Sequence, residues 1–90
     1  MCNLSLLAIS CPLEDGIGIS NEDGYESHYA ESINACIINC FNEKESDSSF
    51  KSMMYFVQTS GAKSCWCLKG VTRLPSLPAS VKSATSCVYS

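Results

Sequence analysis

The sequence predicts an α+β fold, with one helix laid on an antiparallel sheet and stapled to it by disulfides. Three observations carry the prediction. The first is a matched pair of cysteine spacings, Cys36-x-x-x-Cys40 and Cys65-Trp66-Cys67. A four-residue step along a helix face advances about 6 Å. A two-residue step along a strand advances about 6.6 Å and returns to the same face. A helix and a strand carrying these pairs can therefore be joined twice, within the narrow separations a disulfide accepts. The second is an apolar stripe at helical spacing, formed by Tyr29, Ile33, Cys36, Ile37, Cys40 and Phe41. The third is a predicted hairpin, in which Met53–Val57 and Ser64–Lys69 flank a short turn.

Taken in order, residues 1–10 read as an N-terminal arm or edge strand in front of a single domain spanning 11–90. The arm is mildly apolar, lacks a basic leading segment and is too short for a full signal peptide. Asn3-Leu4-Ser5 is an N-glycosylation sequon, which makes Asn3 a glycan acceptor in a secreted chain. Residues 11–25 are rich in turn formers and predict a loop with a short strand. Asn21-Glu22-Asp23-Gly24 lacks the alternating ladder and distant Glu of a calcium loop and reads as an acidic turn. The stripe places the helix from Ser27 to Phe41, with both cysteines on the face of Ile33 and Ile37. Residues 42–51 are a polar loop. Met53–Val57 is a strand, Thr59–Lys63 a turn, and Ser64–Lys69 the second arm. On that arm Cys65, Cys67 and Lys69 share one face, and Trp66 and Leu68 the other. Gly70, Pro75 and Pro78 make residues 70–82 an irregular crossing loop, and Thr85–Tyr89 a closing strand carrying Cys87.

Composition narrows the class. Ninety residues suffice for one small core with a thin stability margin. Seven cysteines at this length approach the density of disulfide scaffolds, and persistent disulfides imply an oxidising compartment. Neither cysteine pair has the Cys-x2-Cys spacing of a zinc knuckle, so no metal is expected. No stretch is long enough to span a membrane as a helix. A net charge of −3 without a basic cluster argues against nucleic acid as a partner. The charge is unevenly placed: all nine acids lie between Glu14 and Asp47, and five of the six cations between Lys51 and Lys82.

The remaining cysteines complete the framework. Pairing Cys11 with Cys87 ties the ends of the domain together, while Cys36, Cys40, Cys65 and Cys67 form the double staple. Cys2 is then left for an intermolecular bridge or a free thiol. From Cys11 to Cys87 the chain resembles the PAN/apple domain family. The resemblance rests on Cys11 with Gly16, on Cys36 and Cys40, and on the aromatic strand Met54-Tyr55-Phe56-Val57. It continues through Cys65-Trp66-Cys67-Leu68-Lys69 and Ser80-Val81-Lys82-Ser83 before Cys87. It implies one helix cradled by a curved antiparallel sheet, and an extracellular module for protein or carbohydrate binding. The family often carries a further cysteine before the aromatic strand. Here Ser52-Met53-Met54 has none, and the later strand offers two cysteines in place of one. The staple therefore has two possible pairings: Cys36–Cys67 with Cys40–Cys65, or the reverse. The Cys-x-x-x-Cys and Cys-x-Cys pair also resembles cysteine-stabilised αβ peptides such as scorpion-type toxins and defensins, which are shorter and usually basic.

No catalytic constellation is visible. His28 is the only histidine and sits among acids, and Glu14-Asp15 and Glu22-Asp23 fall in turns. No cofactor is expected. Trp66, on the strand face opposite the cysteines, and Tyr55 are the candidate binding residues. The expected role is secreted recognition of an extracellular protein or glycan, without an enzyme activity. The alternatives are a toxin-like peptide and a self-assembling structural subunit. In the latter, the apolar arm Leu4–Ile9 adds to another copy's sheet edge, building a homo-oligomer or filament.

Overall fold

The computed structural model describes residues 11–89; the predicted arm, with Cys2 and Asn3, lies outside the described residues. Five strands form one antiparallel sheet: β1 (Glu14–Asp15), β2 (Tyr25–His28), β3 (Ser52–Gln58), β4 (Lys63–Leu68) and β5 (Val81–Val88). Their order across the sheet is β1-β5-β3-β4-β2. The single described helix, α1 (Ile33–Ser46), packs on the central strand β3 and its neighbour β4. The predicted α+β class, one helix on a disulfide-stapled antiparallel sheet, is what the structure contains.

The helix starts six residues later than its stripe suggests. Tyr25–His28 is an edge strand paired with β4, and Tyr29 is 72% exposed rather than part of the buried face. Ser32 marks the true start. It is extended at φ −147° and accepts the Ala35 N–H on its side-chain oxygen, satisfying one of the donors that a helix leaves open at its first turn. At the other end α1 runs past Phe41 to Ser46. Its last turn is held by the Asp47 N–H donating to Glu43 C=O at 2.8 Å. The closing strand likewise begins earlier than expected, at Val81, because β5 pairs along the whole of β3 through a bulge at Val57/Gln58.

The predicted hairpin is β3–β4. Gly61 donates its N–H to Gln58 C=O, and Gln58 donates to Ala62 C=O. Gly61 adopts φ +93°, a conformation that only glycine reaches without strain, and this closes the turn. Register then assigns the faces. Met53, Tyr55, Cys65, Cys67, Thr85 and Cys87 point toward α1, and Ser52, Met54, Trp66, Leu68, Ala84 and Ser86 point away.

Three disulfides lie on the helix side: Cys11–Cys87, Cys36–Cys65 and Cys40–Cys67, with Cα separations of 5.2, 5.5 and 5.2 Å. Of the two staple pairings left open, first joins first and second joins second, so α1 runs in the same direction as β4. The four staple cysteines are fully buried and form one cluster with Ala30, Phe50, Met53 and Cys87. A second buried cluster, Ile19, Met54, Phe56, Leu68 and Ala84, sits on the far side of the sheet.

The uneven charge is used within the chain. Arg73 grips Glu14 with two hydrogen bonds, at 2.7 and 3.0 Å, and Lys69 meets Asp47 at 3.5 Å. Lys63 reaches the Glu31 carbonyl. Upstream acids and downstream cations thus meet when the two halves fold together.

Two predictions follow from this framework. The Cys11–Cys87 bridge spans 76 residues, and closing a loop of that length contributes about 4–5 kcal/mol in the chain-entropy model. Replacing both cysteines with serine is expected to lower the urea midpoint accordingly, and an unchanged midpoint would count against the bridge. The second prediction concerns Tyr89, whose ring meets Phe41 edge-on while its hydroxyl is buried without a hydrogen-bond partner among the described residues. Burial pushes the phenol well above its ordinary value of 10.0. The folded state therefore holds this proton to higher pH than the unfolded chain does. Nothing is lost below the ordinary value, and stability falls as pH rises past it. Tyr89→Phe should be neutral or stabilising at pH 7, by up to about 1 kcal/mol, and should lose less stability near pH 11. An identical alkaline decline in both proteins would refute the assignment.

Candidate functional site

The face of the sheet turned away from α1 carries the candidate site. Two loops cross it, residues 17–24 between β1 and β2, and residues 70–80 between β4 and β5. Neither is disulfide-bonded. Buried serines hold them instead. The Ser86 hydroxyl donates to Ile17 C=O at 2.7 Å, and the Ser52 hydroxyl donates to Gly70 C=O at 2.6 Å. The loops are also bonded to each other, Ser20 N–H to Thr72 C=O and Leu74 N–H to Gly18 C=O, both at 2.8 Å. Gly18 permits that approach: a Cβ there would stand 3.1 Å from Leu74 Cδ1 and 3.2 Å from Leu77 Cδ2. Arg73, through Glu14, ties the second loop to β1.

Between the loops and the ends of β3 and β5 lies a groove of about 390 Å³. Its floor is Met54, Phe56 and Trp66, and Ile19, Leu74, Leu77 and Val81 form its walls. Polar groups stand around it: Ser20, Asn21, Gln58 and Ser80, with Glu22 the one charged side chain. Trp66 is half-buried between two rings, Phe56 edge-on at 4.9 Å and Tyr25 tilted at 4.4 Å, the latter 43% exposed. Such a site offers apolar contact over a continuous aromatic surface, a few hydrogen-bonding groups and one anion.

The predicted site residues separate in space. Trp66 lies in the groove, on the face opposite the cysteines. Tyr55 does not join it: it lies on the helix face, packed against the disulfide cluster, with its hydroxyl donating to Glu31 C=O at 3.1 Å. His28 is also on the helix face, 3.0 Å from Glu43. Asn21–Gly24 is an ordinary turn, closed by Gly24 N–H donating to Asn21 C=O. The sulfurs of Cys36, Cys40 and Cys65 lie within 4.8 Å of one another, a spacing a metal could use, but each is held in a disulfide and offers no thiolate. Sequence reading missed Ile19, Leu74 and Leu77, which fell in segments read as irregular, and Phe56, whose strand was read as one apolar run. Assigning β3 the period of two would have placed Met54 and Phe56 beside Trp66.

The chain matches no family model, no curated protein and no solved structure.

The Glu14–Arg73 pair gives a test of how the groove is held. Hydrogen bonding from Arg73 keeps the Glu14 carboxyl below its ordinary value of 4.5. The contact is therefore present above that value and lost as pH falls through the depressed one. In Glu14→Gln, or in wild-type protein acidified well below 4.5, the Leu74 amide bonded to Gly18 should have a lower protection factor than in wild-type protein at neutral pH, while the β3 amides stay protected. Equal protection of Leu74 in all three samples would show that Arg73 does not hold the loop.

Proposed function

We propose that this chain is a secreted recognition module of the PAN/apple type that binds an extracellular protein through the groove around Trp66. The observation that carries the reading is the aromatic run Tyr25–Trp66–Phe56 opening onto an apolar groove with a single carboxylate, Glu22, at its rim. Apolar lining suits side chains inserted from a partner, and the Glu22 charge suits a neighbouring lysine or arginine. Three disulfides in so small a domain fit an oxidising, extracytoplasmic environment. The one-helix sheet is what the family resemblance implies, while the double staple onto β4 departs from the family's cysteine pattern. Binding rather than catalysis is proposed because the one histidine lies on the opposite face from the groove, committed to Glu43.

Trp66 is the only tryptophan, so its fluorescence reports the groove directly. Capped peptides combining Leu or Phe with Arg should shift its emission on titration. Peptides with Asp in place of Arg should bind more weakly, and the Trp66→Ala variant, followed by calorimetry, should lose binding with its circular dichroism unchanged. Binding of mannose or N-acetylglucosamine oligomers instead would replace the protein ligand with a glycan. Failure of both ligand sets to perturb Trp66 would remove the groove as the recognition site.

A further inference from the structure

The two edges of the sheet are built differently. At one edge β1 is only two residues long, follows Pro12 and the Cys11–Cys87 bridge, and has Glu14 tied to Arg73. Short strands, prolines and covering contacts are the usual ways of closing an edge to further pairing. At the other edge β2 is twice as long and, among the described residues, has no such covering contact. Its four residues, Tyr-Glu-Ser-His, include no proline or lysine, pair with β4 without a bulge, and are mostly exposed.

The register identifies which backbone groups β2 leaves open. Lys69 donates its N–H to Gly24 C=O, which makes 24/69 a hydrogen-bonded pair of the ladder. By alternation Glu26/Cys67 and His28/Cys65 are bonded pairs as well. Tyr25 and Ser27 therefore turn their N–H and C=O groups away from β4, giving four groups along the open side. Side chains alternate with them. Tyr25 and Ser27 lie on the groove side, and Glu26 and His28 on the helix side.

The charge of the edge selects among occupants. Between Cys11 and Glu43 the chain has no lysine or arginine. Glu26 is exposed and has no ion-pair partner among the described residues, while the bases flanking it on the helix side, His28 and Lys69, are bonded to Glu43 and Asp47. A second β2 from another copy would set Glu26 beside a like charge, which is unfavourable across strands. A basic strand gains where the second copy loses.

We propose that the β2 edge takes an extended, basic segment of a partner protein by strand addition. The added strand pairs with the outward groups of Tyr25 and Ser27 and sets its cations beside Glu26. On the groove side, a larger apolar residue of that strand lies over the small Ser27, next to the Tyr25 ring. The edge adjoins the groove at the Tyr25 ring, but no β2 residue lines the groove, and pairing along the edge does not depend on what the groove binds.

The experiment uses the oxidised chain labelled with ¹⁵N, with two capped peptides as probes, Lys-Val-Lys-Val-Lys and Glu-Val-Glu-Val-Glu. The lysine peptide should shift the Tyr25 and Ser27 amides and slow their exchange, and should bind about tenfold or more tightly than the glutamate peptide. Its affinity should fall with added salt. Ser27→Pro removes an outward donor without touching the β4 ladder, since proline is tolerated where its missing N–H faces solvent. Lysine-peptide binding should drop about tenfold in that variant, with the Glu26 amide still protected. Glu26→Lys should reverse the peptide preference and serves if Ser27→Pro fails to fold. The proposal is overturned if the lysine peptide does not bind, if it shifts Ile19, Leu77 and Val81 in place of Tyr25 and Ser27, or if Glu26→Lys leaves the preference unchanged. Protection of the Tyr25 and Ser27 amides that rises with protein concentration alone would make the occupant a second copy and would also overturn it.

Discussion

The double staple between α1 and β4 is the constraint on which the rest of this structure depends. Cys40 and Cys65, members of different bridges, bring their sulfurs to 3.6 Å, so the two disulfides pack on each other as one buried block. Two cross-links, rather than one, fix both the position and the direction of the helix on the strand. They also fix which way β4 faces. Because Cys65 and Cys67 must point at the helix, Trp66 and Leu68 must point away, and every strand paired to β4 inherits that assignment. The aromatic groove is thus a consequence of the cysteine spacing, reached through the period of two.

The two sides of the sheet are held by different means. The helix side has all three disulfides and the fully buried cysteine cluster. The groove side has hydrogen bonds from two buried serines and the bonds between two loops. Breaking one such bond costs about 1 kcal/mol in net terms, and somewhat more when a buried partner is left unpaired. A long-loop disulfide contributes several times that. Local opening should therefore begin at the loops that wall the groove, while the helix and central strands stay closed. The groove side can therefore adjust its shape without unfolding the domain.

What was legible in the sequence was what depends on spacing. The cysteine periods announced the helix-on-strand contact, and the strand period put Trp66 opposite the cysteines. The staple pairing was not legible, because the same two spacings fit a helix running along β4 or against it. The helix start was misplaced because Tyr29 happens to fit the stripe. Ser32 stops the helix by capping it, and the backbone of Tyr25–His28 was free to satisfy its hydrogen bonds with β4. The groove was the least legible feature. Its walls come from residues 17–24 and 70–80, whose conformations are set by partners far along the chain. Ser86 to Ile17 spans 69 positions and Arg73 to Glu14 spans 59. Turn-forming residues announce that such segments are irregular, but their hydrogen-bond partners are selected only once the sheet exists.

The same dependence explains the charge pattern. Read linearly, an acidic first half and a basic second half suggest a molecule with two poles that attract neighbouring copies. The fold interleaves the halves: β1 and β2 come from the acidic part and lie at opposite edges, while β3, β4 and β5 from the other part fill the middle. Arg73 and Lys69 then find carboxylates within the same chain, which spends much of the attraction internally. Charge that is not absorbed in this way marks where the molecule is electrostatically incomplete. Glu22 at the groove rim and Glu26 on β2 stand in that position. On the proposed reading, recognition at either surface favours partners that bring positive charge together with apolar side chains.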